Sequence, residues 1–226
     1  SATDTLTNDG NTIHGSGNIG NNSMTLNNQS TIRANTFETL TIDPAGSGCI
    51  NGGLIEALGG FNTLVLNDGA FNNTGGTIVA NSGKVEVNAG ALVTGGTVST
   101  SSISGSTLRL NGGSVTGGTL DNSGTIVLQT ATTSTIGGTI NNQSSGLLPV
   151  DNATLTIPAM SAFNNFGTVT IDTDGVLAMD PSVNYTQTGS GARTSVNGNL
   201  TGGQVNVLGG VLFGNGIINA VLNNSA

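Results

Sequence analysis

A glycine doublet followed by a polar and then an aliphatic residue recurs along this chain at nearly constant spacing. It reads GGLI at 52, GGTI at 75, GGTV at 95, GGTL at 117, GGTI at 137 and GGQV at 202. The steps are 23, 20, 22 and 20 residues, then 65, about three further periods. A second series has the form polar-aliphatic-any-aliphatic: TLTI39–42, TLVL63–66, KVEV84–87, TLRL107–110, TIVL125–128, TLTI154–157, TVTI168–171 and QVNV204–207. Two markers advancing at one pace define a repeat of 20–23 residues with β-type runs and no helical period. Leucine-rich repeats share that length but need a Leu/Asn pattern that is missing here.

The fold predicted is all-β: a right-handed parallel β-helix whose roughly triangular coils stack along one rod through residues 1–226. Residues 75–98 give one coil, with TIVA, KVEV and ALVT as its strands and NSG, NAG and GG as its corners. Alternation along each strand turns every second residue inward. The expected core ladder pairs Leu64 with Leu66, Val85 with Val87, Leu108 with Leu110, Ile126 with Leu128, Leu155 with Ile157, and Val169 with Ile171. A thin stacked core also suits a chain with six Phe, one Tyr and no Trp. Residues 43–62 and 143–166 break the rhythm and read as enlarged corners or loops. Val207 and Leu212 fall in the last full coil, where an open strand edge invites end-to-end stacking on another copy or on flanking repeats.

A longer echo is present. TLNNQSTIRANTFETLTI at 25–42 resembles TINNQSSGLLPVDNATLTI at 139–157, and HGSGNIGNN and LNNQS at 14–30 resemble FGNGIINAV and LNNSA at 213–226. Convergence within a narrow composition is one reading, and a segment of a larger tandem array is the other, which is the expectation here. Residue 1 also begins in mid-pattern, as an excised segment does.

Only 7% of the residues are charged, and the net charge is −8. Arg33, Lys84, Arg109 and Arg193 are scattered, which argues against a nucleic-acid surface. No apolar run is long enough to span a bilayer as a helix. Cys49 has no partner cysteine and reads as a small buried or half-buried hydrophobe, and His14 reads as a satisfied surface or loop histidine. GSGNIG at 15–20 lacks the strand and helix that a phosphate-binding glycine loop requires.

Asp172, Asp174 and Asp180 form the densest carboxylate group. They are the candidates for calcium, through oxygen ligands, and for the acid and base of a polysaccharide-cleaving enzyme, the alternative function. DTDG reads first as a turn, so no cofactor and no catalytic residue is assigned. A third reading, ice binding by outward Thr pairs, meets Lys84, Glu86 and Arg109 in the middle of the face. Adjacent coils should bring Glu86 beside Arg109.

The GGT[IVL] corners, the T-h-x-h strands and turns such as NSGTI at 122–126 and NNTGGTI at 72–78 resemble the passengers of secreted bacterial adhesins, the filamentous-haemagglutinin and autotransporter families. The resemblance spans most of the chain as a style of repeat. It implies a β-helical stalk or fibre subunit, secreted or on the bacterial cell surface, with a host or matrix glycan or protein as receptor.

Overall fold

A computed structural model describes residues 4–46 and 48–225. Among them there is no helix; there are 28 strands, and every named strand pairs in parallel. The chain is a parallel β-solenoid with three faces. Its first turn runs Thr5–Asn8 (first face), Thr12–Gly15 (second) and Gly17–Ile19 (third), and the next turn lies on it, Thr25–Asn28 on Thr5–Asn8 and Thr31–Ala34 on Thr12–Gly15. Four strands, Ser114–Asn122, Thr133–Asn142, Asn199–Val207 and Ile217–Asn224, continue round the corner between the first and second faces, so 32 face strands result. These make ten complete turns and two faces of an eleventh.

Every glycine doublet of the repeat sits at that same corner, between the first and second faces. Gly96 shows why: its φ is +59°, and a Cβ there would lie 1.9 Å from the Asn73 carbonyl oxygen of the turn beneath. The third face carries most of the ladder read from the sequence. Leu64 and Leu66 on Thr63–Leu66 lie against Val85 and Val87 on Lys84–Asn88, and these against Leu108 and Leu110 on Thr107–Asn111. Ile126 and Leu128 follow on Thr125–Leu128, and Val169 and Ile171 lie farther along the same face on Thr168–Ile171. All ten are buried. Stacking aliphatic on aliphatic removes both from water, at roughly 1.5–3 kcal/mol for each fully buried side chain.

Three expectations are corrected. Leu155 and Ile157 are buried but belong to the first face, where Thr154–Ile157 pairs with Thr133–Asn142 and Val176–Met179. The ladder therefore does not step from Ile126 and Leu128 through Leu155 and Ile157 to Val169 and Ile171. The third-face strand at the missing level is Leu147–Val150, with Leu148 and Val150 buried between them. QVNV204–207, read as part of the same series, lies on the second face. Residues 43–62 and 143–166 are not loops beside the rod: they hold Cys49–Asn51 and Leu54–Leu58, and Leu147–Val150, Thr154–Ile157 and Ala162–Asn165, with a long corner only between Ile42 and Cys49. Ser47, inside the first stretch, lies outside the described residues. Both stretches look irregular in the sequence because Leu147–Val150 and Cys49–Asn51 lack the Thr that opens many of the other strands.

The misplacement of Leu155 has a structural cause, an internal duplication. A file of buried amides runs Asn8, Asn28, Asn51, Asn73, each Nδ2 donating to the next Oδ1 at 2.8, 2.7 and 2.7 Å across separations of 20, 23 and 22 residues. A second file runs Asn122, Asn142, Asn165, Gln187 at 2.7, 2.8 and 3.4 Å, again across 20, 23 and 22 residues. Each member stands 114 positions after its counterpart, 8 to 122 and 73 to 187. The accessory bonds repeat too. Asn8, Asn28 and Asn51 donate to the carbonyls of Thr31, Leu54 and Thr77, and Asn122, Asn142 and Asn165 to those of Leu147, Thr168 and Arg193.

The first file closes the corner between the first and second faces, whereas the second closes the corner between the second and third. Sixteen of the 32 face strands fall in each half, and sixteen strands are five turns and one face. The duplicate therefore advances by one face: TLTI39–42 on the third recurs as TLTI154–157 on the first. The echo between 25–42 and 139–157 is this correspondence. The one between 14–30 and 213–226 is not, since Leu26 and Leu222 occupy unmatched strands, and Ala226 lies outside the described residues.

Candidate functional site

The carboxylates singled out in the sequence do not converge. Asp172 and Asp174 sit on the turn between the third and first faces, where Gly175 N–H donates to the Asp172 carbonyl at 2.7 Å. Asp180 lies beyond the far end of the intervening strand Val176–Met179. Its Oδ1 accepts from the Ser182 hydroxyl at 2.6 Å and the Ser182 N–H at 2.9 Å, and these bonds hold its carboxyl below the usual range. Among the described residues, no group of three His, Cys, Asp or Glu is placed to hold a metal ion. Cys49 is buried on the first face between Leu26 and Phe71, and burial pushes its thiol up to about 12. His14 is exposed on the second face, across from Arg33 of the next turn.

Charge is gathered in one region instead. Arg33, Glu38, Glu56, Lys84, Glu86 and Arg109 include every glutamate and three of the four cations, and they sum to zero, so the nine Asp and Arg193 account for the whole −8. On the second face Arg33 Nε meets Glu56 Oε1 at 2.6 Å. On the third, Glu86 Oε2 lies 3.2 Å from Lys84 Nζ and 3.5 Å from Arg109 Nη1, the pairing that the repeat spacing predicts. Arg109 also donates to Gln129 Oε1. The Glu86 pairs are part-exposed and worth about 0–1 kcal/mol each, whereas Glu56 is buried beneath Arg33.

Between these two faces runs the corner with the most exposed aromatic surface. Phe37 is 75% exposed and Phe61, one turn on, 90%. Both have left-handed backbone, φ 59° and 73°. That conformation costs an L residue roughly 1–2 kcal/mol. Asn62 fixes both corners: its Oδ1 accepts from the Phe37 N–H at 2.5 Å, and its Nδ2 donates to the carbonyls of Leu58 and Gly59 at 2.5 and 3.1 Å. Beside Phe61 is a shallow notch of about 380 Å³ walled by Ser82 and Lys84. Asn35 Oδ1, at the same corner, is buried without a hydrogen-bond partner. The position matching Phe37 in the duplicate is Asn152, also left-handed at φ 43°. Sequence reasoning misses this corner, because a Phe in a polar turn looks like a stray core residue.

The second exceptional place is the C-terminal end. Leu222 is 49% exposed, Val211 48% and Phe213 49%, and a hollow of about 460 Å³ opens among Val207, Gly210, Val211, Leu212, Leu222 and Asn224. Val207 is only 4% exposed and already lies beneath Asn224, so of the two end residues read from the sequence Leu212 faces the opening more directly. Both lie in the last complete turn, as read; Ile217–Asn224 adds two further faces, and its run of Ile, Val and Leu lacks the glycine doublet that would mark it. On the outward side of the third face, Leu147 and Pro149 stand where the ice-binding reading needs Thr154 and Thr156. No protein-family model matches the chain, and no curated protein matches its sequence.

Proposed function

We propose that this chain is a structural and interaction protein: a length of β-solenoid stalk or fibre from a secreted or surface-anchored bacterial adhesin, in which stiffness and spacing are the function. The observation that carries this reading is the duplication itself. Five and one-third turns of rod have been repeated with the strand order and all but the last link of the amide file kept, so what has been reproduced is length. At a rise of about 4.8 Å per turn the chain adds roughly 50 Å to a stalk. Solenoids grow in this way because each repeat contacts only its neighbours, and stability accumulates turn by turn. Scarcity of charge and cysteine and the style of the repeat, shared with the adhesin passengers named above, support the extracellular assignment.

The test is labelling of intact source cells with an antibody raised against the purified chain. Surface labelling before permeabilisation is the expected result; labelling only afterwards would sink the assignment. Incubation with a panel of neutral and acidic polysaccharides is the companion experiment, and cleavage would favour the enzymatic alternative.

A further inference from the structure

The notch beside Phe61 is made by three unequal corners between the second and third faces. Residues 59–62 turn one coil, residues 82–83 the next and residues 101–106 the one after. The short corner lies between two longer ones and leaves a hollow over itself. Each of the three uses left-handed backbone, Phe61 at φ 73°, Ser82 at 60° and Gly105 at 90°. Hydrogen bonds tie the short corner to both neighbours. Gly59 N–H donates to the Asn81 carbonyl at 2.9 Å, Ser82 N–H to Ser106 Oγ at 2.8 Å, and Ser82 Oγ to the Ser104 carbonyl at 3.1 Å. The hollow of about 380 Å³ is thus built into the rod. Its size falls within the roughly 300–1,000 Å³ of small-molecule sites.

Its lining joins two chemistries. One side is the exposed Phe61 ring, and around it stand the Thr63 and Ser82 hydroxyls and the Lys84 ammonium. The cations nearby are already neutralised, Lys84 and Arg109 by Glu86 and Arg33 by Glu56. A ligand that fits carries an apolar face for the ring, hydroxyls at its edge and no charge. A neutral hexopyranose has that form, with C–H bonds on one face of the sugar and hydroxyls round its rim. Nucleobases also stack on aromatic rings, but their phosphates need unpaired cations. A protein partner needs about 800 Å² of surface with an apolar centre, whereas here Phe61 and Phe37 stand among hydroxyls and amides.

The duplication shows that the fold does not need this arrangement. Thr63–Leu66 corresponds to Val176–Met179, sixteen strands on, so Phe61 corresponds to Asp174 in a corner of the same length, residues 172–175. Residues 101–106 correspond to the shorter corner at 214–216, and Phe37 to Asn152. The ring and the long corner that enclose the notch therefore belong to the first half alone.

We propose that this notch binds one unit of a neutral oligosaccharide, a hexopyranose lying against Phe61 with its hydroxyls on Thr63, Ser82 and Lys84. Phe37, one turn away on the same corner, extends the apolar strip for the rest of the sugar chain. The site adds recognition to a rod whose stalk role stands apart from it.

The experiment is saturation-transfer NMR on the whole chain with cellotetraose, mannotetraose and chitotetraose as neutral probes and a heparin tetrasaccharide as a polyanion. Saturating the phenylalanine ring protons should reach the C–H protons of at least one neutral probe, and titration of that probe gives its Kd. Phe61→Tyr keeps a ring and should bind within about twofold of the unsubstituted chain. Phe61→Asn places at φ 73° a residue suited to that conformation, so its urea midpoint should not fall. It should nonetheless bind at least about tenfold more weakly, the loss of one stacked ring. Phe166→Ala, which removes the part-exposed ring between Ala162–Asn165 and Thr168–Ile171, should leave binding unchanged. Transfer to no neutral probe, tighter binding of heparin than of any neutral probe, or a loss smaller than tenfold in Phe61→Asn overturns the proposal. Any of these leaves the stalk reading standing, because surface labelling tests that separately.

Discussion

In the first half of the rod the buried amide file closes the corner between the first and second faces; in the second half the same file closes the next corner round. Spacing, bond lengths and accessory carbonyl bonds are kept through that rotation almost to the end, where the two files part. Asn73 ends the first by donating to the Gly95 and Thr97 carbonyls at 3.3 and 3.1 Å. Gln187 ends the second by donating to Gly209 at 3.0 Å, across a stretched 3.4 Å bond from Asn165. Thr194 and Tyr185 have joined it there, Thr194 Oγ1 donating to Gln187 Oε1 at 2.6 Å and meeting Tyr185 Oη at 2.5 Å. Burial raises the Tyr185 phenol far above its ordinary range, so it takes part as a neutral hydroxyl. The comparison teaches that the three faces are interchangeable as building surfaces, and that sequence change is absorbed where a file runs out.

The largest effect should come from breaking both files at matched links. Asn28→Ala and Asn142→Ala each remove an amide that both accepts from the turn before and donates to the turn after. Asn28→Ala also takes a donor from the Ser30 and Leu54 carbonyls, and Asn142→Ala from the Thr168 carbonyl, and each variant should cost about 2–4 kcal/mol in total. Urea midpoints displaced equally for the two would support the equivalence of the corners. A difference above about 1 kcal/mol would show that the corners are not equivalent, since separate substitutions normally report their own surroundings.

A smaller and unequal pair lies at the ends of the files. Asn73→Ala takes from Asn51 Nδ2 its bond to the next amide, leaving it only Thr77 O at 3.3 Å, and takes a donor from the Gly95 and Thr97 carbonyls, and should cost about 1–3 kcal/mol. Gln187→Ala should cost about 1 kcal/mol, because Asn165 keeps Arg193 O at 3.1 Å and Thr194 Oγ1 at 3.3 Å. Equal losses would mean that the Thr194 and Tyr185 hydroxyls do not share the load.

The parallel solenoid and most of its third-face core were legible because period-2 alternation at a fixed 20–23-residue step admits few folds. The faces were not separately legible, since T-h-x-h strands look alike on all three. Hence TLTI154–157 reads as a rung between Leu128 and Val169, like its twin at 39–42, although it stands on another face. The amide files were written in the sequence, as Asn at steps of 20, 23 and 22 and again at 20 and 23 with Gln187 a further 22 on. They pass for turn residues because Asn is expected at turns, and only the fold shows these side chains pointing inward. The charged corner was half visible, through Glu86 and Arg109, and Phe37 and Phe61 were not.

Those two rings give the smallest predicted effect and the sharpest use of the duplication. Phe37 holds φ 59° with its ring in water, and the matching Asn152 holds φ 43° with a side chain suited to that conformation. If the corner exists only to turn the chain, Phe37→Asn should relieve strain and raise stability by about 1 kcal/mol, read as a higher urea midpoint. The reciprocal Asn152→Phe should lower it by about the same amount. A gain in the first variant would show that the fold does not require the ring, leaving its exposed face to be explained by contacts outside the chain. A loss would mean that Phe37 packs against Asn62 and its neighbours strongly enough to offset the strain, and the corner would then be structural in both halves.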